Sequence, residues 1–384
     1  MHVFQKISSY IFCIVSLVDP VDALKLKLPS FLLFVLSFLF HKKINKNNIP
    51  IVGLLILCNI ISYMVGDANG LKIDFSLMIH FLLFFVLLFC IVWDYCIDFL
   101  YPIITGCVIL SILTIFGFFS ILFFPDIEIL LYQYSLDHDL IFLMSHRTFL
   151  GIDFNSFCFK SLPILAIPAS FYVYQFFYQK KNKTRNFLFS LLFLFAMFCG
   201  GNRSMVLGVV FIIIFISYPI IKKKKTFRLC ANLLFVIIFL IVVQALTEKG
   251  ETSNDIKYGH LTSYMAHFSE YWTFFLWGTG AGSYFYSIGF DDYTNLSEWT
   301  YIELYRMYGM IGGTLILFFL FKPLFNWNMK KQDIENWYPI SLGYVLFLII
   351  CGSNPYLINS TGLICIIFMY SYITNPKYKI EYRQ

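Results

Sequence analysis

The sequence predicts an all-α polytopic integral membrane protein, and three observations support this fold class. First, 59% of the 384 residues are hydrophobic and 13% are charged, whereas soluble domains average roughly 45–50% and about 25%. Second, apolar stretches of bilayer-spanning length recur along the whole chain. Third, basic residues cluster in alternate connections between these stretches. This combination excludes a water-soluble enzyme.

A spanning helix needs about 20 mostly apolar residues. By this criterion we place twelve apolar stretches as predicted spans. In chain order they are residues 7–23, 28–41, 49–65, 74–93, 99–124, 154–178, 186–200, 204–221, 229–246, 304–321, 337–352 and 359–374. Within the first stretch, the apolar run Ile7 to Val18 is followed by Asp19-Pro20 without a small-residue cleavage site, so we expect a retained helix. The twelve predicted spans make a single membrane domain over residues 1–384.

Four basic clusters predict the orientation of these spans. They are residues 41–46, 180–185, 222–228 and 330–331, and all lie on one side if the N-terminus is cytoplasmic. Lys and Arg in short connections mark the cytoplasmic side of a membrane protein. Most of the 28 basic residues then lie on that side and most of the 22 acidic residues on the other. Both termini are therefore predicted to be cytoplasmic, and the basic runs are attributed to topology and anionic lipid, with no nucleic acid as partner.

Two long connections are predicted on the outer side, residues 125–153 and the large loop 247–303 before the tenth span. Loops longer than about 12–15 residues are usually functional or disordered. The large loop is rich in aromatic residues, which is opposite to the composition of disordered segments. We expect it to fold onto the membrane surface and to carry part of an active site. The ten cysteines show no metal-ligand spacing, and neither a metal nor a cofactor is indicated.

Two arginines stand at the outer ends of predicted spans. Arg147 follows His146 and precedes Asn155 just before the sixth span, and Arg203 follows Gly-Gly-Asn between the seventh and eighth spans. An interfacial Arg can simply reach lipid phosphate, and Gly-Gly can simply form a tight turn. The functional interpretation is that these guanidinium groups bind an anionic ligand, because their planar fork matches phosphate oxygens.

The large loop contains His260 and three glycines at alternate positions, Gly278, Gly280 and Gly282. Such glycines let backbone N–H groups approach a ligand closely, or they bend a re-entrant segment so that it packs closely. A dinucleotide site is not indicated, because no βαβ unit flanks them. His260 is either a satisfied loop histidine or a catalytic base.

The start of the tenth span carries Glu298, Glu303 and Arg306. Glu303 and Arg306 are spaced i, i+3 and can pair on one helix face, which would leave Glu298 available as a base. Arginines that neutralise a leaving phosphate, together with a carboxylate that accepts a hydroxyl proton, suit glycosyl transfer from a lipid pyrophosphate without a metal.

The order of these motifs resembles the bacterial O-antigen polymerase and O-antigen ligase superfamily over about residues 140–320. The matching motifs are Arg147-Thr-Phe-Leu-Gly with Asn155, Gly-Asn-Arg203-Ser, Gly-His260-Leu, Gly278-Thr-Gly280-Ala-Gly282 and Glu298-Trp-Thr-Tyr-Ile-Glu303-Leu-Tyr-Arg306-Met-Tyr-Gly309. The resemblance implies a helical membrane glycosyltransferase (GT-C-like) fold in the bacterial inner membrane, with its active site facing the periplasm. It also implies metal-independent transfer from an undecaprenyl-pyrophosphate-linked oligosaccharide, with a chain-length regulator and a flippase as partners.

By this resemblance Arg147 and Arg203 bind the pyrophosphate, and Glu298 or else His260 deprotonates the acceptor hydroxyl. The polymerase branch is favoured, because His260 stands where many ligases have a long-loop Arg. The alternatives are an O-antigen ligase, which transfers the polymer to lipid A-core, and a lipid-linked oligosaccharide flippase. A flippase is expected to show internal repeats with paired broken helices, and the sequence shows no repeated half.

Overall fold

The computed structural model describes residues 2–39, 46–92, 99–138, 141–149, 152–179, 181–221, 252–270, 272–297, 299–325, 331–352 and 357–374. The chain forms two compact units. The first unit comprises residues 1–40, 97–247 and 329–350, and the second comprises residues 41–96, 248–328 and 351–384.

Helices dominate both units. In chain order the helices and strands are α1 (His2–Val18), α2 (Lys27–Leu39), α3 (Ile49–Ala68), α4 (Phe75–Leu87), α5 (Leu100–Phe123), α6 (Pro125–Asp137), β1 (Phe142–Phe149), β2 (Ile152–Phe159), α7 (Ala166–Tyr178), α8 (Lys183–Cys199), α9 (Arg203–Ile221), α10 (Thr252–Glu270), α11 (Trp272–Trp277), β3 (Phe285–Ser287), β4 (Asp292–Thr294), α12 (Thr300–Phe321), α13 (Lys331–Gly352) and α14 (Ser360–Thr374). Short 3₁₀ turns cover Lys46–Asn48, Leu88–Val92, Leu162–Leu165 and Lys322–Phe325.

Three of the described helices are long and apolar enough to cross a membrane: α3, α5, and α12 with its 3₁₀ extension to Phe325. The 24 residues of α5 span about 36 Å at 1.5 Å per residue, more than the roughly 30 Å of a bilayer core. Shorter apolar helices accompany them in both units. The prediction of a mainly helical chain with helices of membrane-spanning length is confirmed, whereas the number of spans and their orientation stay predictions. The ninth predicted span, residues 229–246, lies outside the described residues.

In the first unit, α1 packs against α2 and α5, and α7 packs against α8 and α9. Gly106 lets α5 approach α1, since a Cβ there would lie 2.8 Å from a methyl of Leu17. Phe12 and Phe34 stack with ring centroids 4.7 Å apart, and Phe99 meets Phe34 edge-on. These apolar contacts form part of the interior of this unit.

The predicted start of the sixth span at residue 154 is wrong. Residues 152–159 form strand β2, which pairs with β1 in an antiparallel hairpin, and α-helix begins only at Ala166, after the 3₁₀ turn Leu162–Leu165. The local sequence alternates Ile152, Asp153, Phe154 and Asn155, which is the two-residue period of a strand and not the 3.6-residue period of a helix. The predicted loop 125–153 accordingly contains α6 and β1.

The second unit is built on α3, α4, α12 and α14, with α10, α11 and the small β3–β4 hairpin at one end. The Asn59 side chain of α3 donates a hydrogen bond to the Tyr308 hydroxyl of α12 at 3.0 Å, and Phe85 of α4 meets the same Tyr ring edge-on. The predicted loop 247–303 therefore contains two helices and a hairpin, and α12 begins at Thr300, four residues before the predicted span.

Candidate functional site

Arg306 is the centre of a polar cluster inside the second unit, and its side chain is 0% exposed. Its Nε donates to Glu303 Oε2 at 3.0 Å, and its Nη2 donates to Glu303 Oε1 at 2.6 Å and to the Asn295 carbonyl at 3.3 Å. Its Nη1 donates to Ser283 Oγ at 2.8 Å and Thr279 Oγ1 at 3.3 Å. A guanidinium has five N–H donors, so every donor of Arg306 has an acceptor within the protein.

Glu303 is the counter-ion of Arg306, and this ion pair confirms that the two residues share a helix face. Glu303 also accepts a hydrogen bond of 2.7 Å from the Tyr264 hydroxyl, which hydrogen-bonds with Ser297 as well. Burial, followed by the negative charge of Glu303, raises the pKa of Tyr264 well above its ordinary value. Tyr264 is therefore a neutral hydrogen-bond donor, and Glu303 has no free role as a base in this arrangement.

Helix α12 is broken at Gly309, where φ is 64° and ψ is −174°. A carbonyl in an α-helix normally accepts from the N–H four residues later. Here the carbonyls of Arg306 and Met307 instead accept from the N–H groups of Thr279 and Gly280, at 3.1 and 2.8 Å. The Gly-Thr-Gly motif of the large loop thus pairs with the broken turn of α12.

Gly278 and Gly309 make this pairing sterically feasible. Gly278 has φ +73°, and a Cβ there would lie 2.4 Å from the Met307 carbonyl oxygen. A Cβ on Gly309 would lie 2.3 Å from the carbonyl carbon of Leu276. Only residues without a side chain fit at two such contacts, so the two motifs are complementary in shape.

The other two glycines of the motif pack against the α3–α4 region. A Cβ on Gly280 would lie 2.8 Å from Tyr63 Cα, and one on Gly282 would lie 2.4 Å from the Asp74 carbonyl oxygen. The Asp74 N–H donates to the Gly282 carbonyl at 2.8 Å, and the Asn295 side chain donates to the Asp74 carboxylate at 2.9 Å. The close-packing alternative therefore describes what these glycines do in the structure.

Two histidines of α10 face the interior of the second unit. His260 is 0% exposed, and its Nδ1 lies 2.7 Å from the Ser287 hydroxyl. His267 stacks on Phe274 with ring centroids 5.1 Å apart. Burial, followed by the positive charge of Arg306, lowers the pKa of His267 to about 3. His267 is therefore uncharged at neutral pH.

In the first unit, Arg203 is the first residue of α9 and follows a tight turn in which Gly201 has φ +64°. The neighbouring Asn202 is 7% exposed, and its side chain donates to Cys158 Sγ of strand β2 at 3.4 Å. The turn before Arg203 is therefore attached to the β1–β2 hairpin.

Arg147 lies on β1 of the same hairpin, where its backbone is paired with Phe154. Cys158 is four residues beyond Phe154 along β2, which is a distance of about 13 Å at 3.3 Å per residue. In the same hairpin, the backbone of His146 is paired with that of Asn155.

The candidate site residues are thus distributed over both units. Arg147, Arg203, His146 and Asn155 lie in the first unit, and His260, Glu303, Arg306 and the three loop glycines lie in the second. Glu298 lies outside the described residues. Among the residues that the structure describes, no group of three or more His, Cys, Asp or Glu side chains could hold a metal ion.

Sequence reasoning missed Tyr264, Thr279, Ser283, Asn295 and Ser297 as partners of the Glu303–Arg306 pair. A buried charged residue needs several hydrogen-bond partners, so Ser and Thr beside the glycine motif were a usable signal for part of this set. Nothing in the sequence marks Tyr264, which is 39 residues from Glu303.

No family model, curated protein or solved structure matches this chain.

Proposed function

We propose that the protein is an O-antigen polymerase, a glycosyltransferase of the bacterial inner membrane that acts at the periplasmic face. Its substrates are undecaprenyl-pyrophosphate-linked oligosaccharides. The bond between the nascent polysaccharide and its pyrophosphate carrier breaks, and a glycosidic bond forms to a hydroxyl of the non-reducing-end sugar of a new lipid-linked repeat unit. The acceptor proton passes to a base of the protein, and undecaprenyl pyrophosphate leaves.

The contact between the Arg203 turn and the Arg147 hairpin carries this proposal. The Asn202–Cys158 hydrogen bond holds together two segments of the first unit that are 44 residues apart in sequence. Two guanidinium groups supplied from these segments suit a diphosphate, because each can form paired charged hydrogen bonds with phosphate oxygens. The N-terminus of α9, which begins at Arg203, adds a favourable dipole for an anion.

Glu298, or else His260, is proposed as the base. Glu303 is committed to Arg306 and Tyr264, which leaves Glu298 as the unassigned carboxylate at the start of α12. Its chain neighbours are anchored: Ser297 hydrogen-bonds with Tyr264, and the Thr300 hydroxyl donates to the Cys351 carbonyl at 2.7 Å.

The first test is deletion of the gene followed by gel analysis of the surface polysaccharide. We expect a lipid core that bears a single repeat unit, because repeat units are still made and ligated but not joined. Long polymer that stays on its carrier and is absent from the core would identify a ligase instead. Absence of repeat units from the outer face would identify a flippase.

The second test is substitution of Arg203. We expect Arg203→Ala to reduce polymerisation about 10²–10³-fold, since a preorganised charge on the leaving group contributes about 3–4 kcal/mol to transition-state stabilisation. Arg203→Lys should also be impaired, because a point charge cannot replace the planar fork. Arg185→Ala, which removes an exposed Arg at the other end of α8, is the matched control and should polymerise normally. Wild-type polymer lengths in Arg203→Ala would refute the assignment, provided that both variants are present at equal levels in the membrane.

A further inference from the structure

Helix α10 has an unusual distribution of polarity for a helix of an outer loop. Its buried side carries His260, Ser263, Tyr264 and His267, which are polar or have a polar tip. Its exposed side carries an apolar row, in which Met265 is 72% exposed beside the exposed Tyr258 and Leu261. A second exposed row is polar and comprises Asp255, Thr262 and Ser269, with Glu270 also exposed. A helix that faces water throughout buries its apolar face toward the core, so the apolar row matches hydrocarbon better than water, whereas the polar row matches water or lipid headgroups.

Contacts along α12 show how far residues 257–276 extend beside that helix. Near the start of α12, the Trp299 indole donates to the Lys257 carbonyl at 3.0 Å. At the other end of the segment, Leu276 lies against Gly309, so close that a Cβ on that glycine would clash. Gly309 is nine residues beyond Thr300, or about 14 Å along the helix axis. Residues 257–276 thus run along α12 for almost half of a bilayer core of roughly 30 Å.

The chain then returns to the depth of Lys257, near the start of α12. After the glycine motif, the Tyr284 N–H donates to the Lys72 carbonyl in the α3–α4 connection at 2.9 Å. Non-helical backbone is tolerated at membrane depth only when its polar groups have partners inside the protein. The N–H groups of Gly278, Thr279 and Gly280 meet this condition, because each donates to a protein carbonyl.

We propose that residues 257–284 form a re-entrant segment that is embedded in one leaflet of the membrane, with the acyl chains of phospholipids as its partner. The exposed side chains of Met265, Trp272 and Phe275 contact these chains. This surface is continuous with the membrane-spanning helix α12 through an apolar cavity of about 210 Å³. The cavity is lined by Phe268, Phe275, Ile302, Tyr305 and Met310. The accessible surface of this cavity is apolar, so it is compatible with contact to the methylene groups of an acyl chain.

Tryptophan fluorescence in nanodiscs tests this proposal without reference to catalysis. Trp272 is 72% exposed, so Trp272→Phe provides a background that removes one emitter with little change in packing. In that background Tyr258→Trp and Met265→Trp place a tryptophan at exposed positions nearer the start of the segment. Subtracting the spectrum of Trp272→Phe from that of the wild-type protein gives the emission of Trp272. The same subtraction from each double variant gives the emission of the tryptophan at position 258 or 265. Nanodiscs with phospholipids brominated in the acyl chains are compared with unbrominated ones, and acrylamide serves as the aqueous quencher.

We expect brominated acyl chains to quench Trp272 strongly, the tryptophan at 265 less and the one at 258 least, with acrylamide showing the reverse order. Equal quenching at the three sites would indicate a helix that lies flat on the surface and would overturn the proposal. Quenching by acrylamide alone would indicate a water-exposed loop and would also overturn it. Neither result depends on polymerase activity, so this inference and the proposed function fail separately.

Discussion

Arg306 illustrates how a full charge is accommodated inside the second unit. Its cost of burial is offset by the Glu303 carboxylate and by acceptors from three other residues of the large loop, and its Cζ lies 4.5 Å from the centre of the Phe285 ring. A buried ion pair adds little net stability compared with apolar residues, but removal of one partner leaves an uncompensated charge. The pair therefore fixes where the loop meets α12.

We predict that Arg306→Ala lowers the free energy of unfolding by about 3–5 kcal/mol, because Glu303 would be left buried and unpaired. Thermal unfolding of the purified protein in detergent measures this, with Arg185→Ala as an exposed control that should change stability by less than about 0.5 kcal/mol. The double variant Arg306→Ala/Glu303→Ala should be less destabilised than the sum of the two single variants. A stable Arg306→Ala protein that has lost only polymer formation would instead place Arg306 at the substrate.

For individual residues, the sequence predicts a contact between two side chains on one helix but not the larger cluster to which they belong. The spacing of Glu303 and Arg306 is sufficient to predict their contact, because helix geometry puts residues three apart on one face. The position of Tyr264 depends on how α10 folds back on α12, and no local rule determines that. For the same reason the sequence alone does not decide whether Gly278, Gly280 and Gly282 approach a ligand or allow close packing.

Among the elements, α12 depends on a break that only glycine supports. Gly309 has a positive φ and no room for a Cβ. We predict that Gly309→Ala lowers the free energy of unfolding by at least about 1–2 kcal/mol, because an L-residue is strained at this φ and its methyl group would collide with backbone atoms of Leu276. Measured melting temperatures of membrane-extracted protein provide the test.

Gly53 of α3 is the matched control for this substitution. A Cβ at Gly53 meets nothing within 4 Å, so Gly53→Ala should be neutral or should stabilise the protein by about 0.4–1 kcal/mol through the unfolded state. Equal effects of the two substitutions would show that the break in α12 is not required, and the pairing of Thr279 and Gly280 with α12 would lose its significance.

The β1–β2 hairpin shows where element prediction from sequence is limited. Phe154, Phe157 and Phe159 make residues 154–159 apolar enough to pass as the start of a span, and composition alone cannot distinguish a buried strand from a buried helix. Aromatic residues favour strands when they pack against a neighbouring surface. Here Phe157 fills the space beside Gly117 of α5, where a Cβ would lie 2.4 Å from its ring. That surface exists only in the folded protein.

For the whole molecule, composition was sufficient to predict the class of protein, because a chain with 59% hydrophobic and 13% charged residues cannot cover itself with polar surface. The division into two units could not be predicted in this way. Residues 41–96 and 248–328 belong to one unit although more than 150 residues separate them, and such long-range association depends on tertiary packing that leaves no periodic signal in the sequence.

Orientation in the membrane is the prediction that belongs to the whole molecule. Because Lys and Arg in short connections are retained in the cytoplasm, we predict that green fluorescent protein fused after Lys183 or Lys225 is fluorescent and that alkaline phosphatase fused there is inactive. Fusion after Gly250, beyond the ninth predicted span, should give the opposite result. Residues 222–251 lie outside the described part of the chain, so these fusions test what only the charge pattern predicts. If the fusion after Gly250 is cytoplasmic, then the large loop and the Arg203 turn cannot both face the periplasm. The glycosyl-transfer proposal would then fail, whereas the re-entrant segment would remain, since its depth is measured against α12 and not against either side of the membrane.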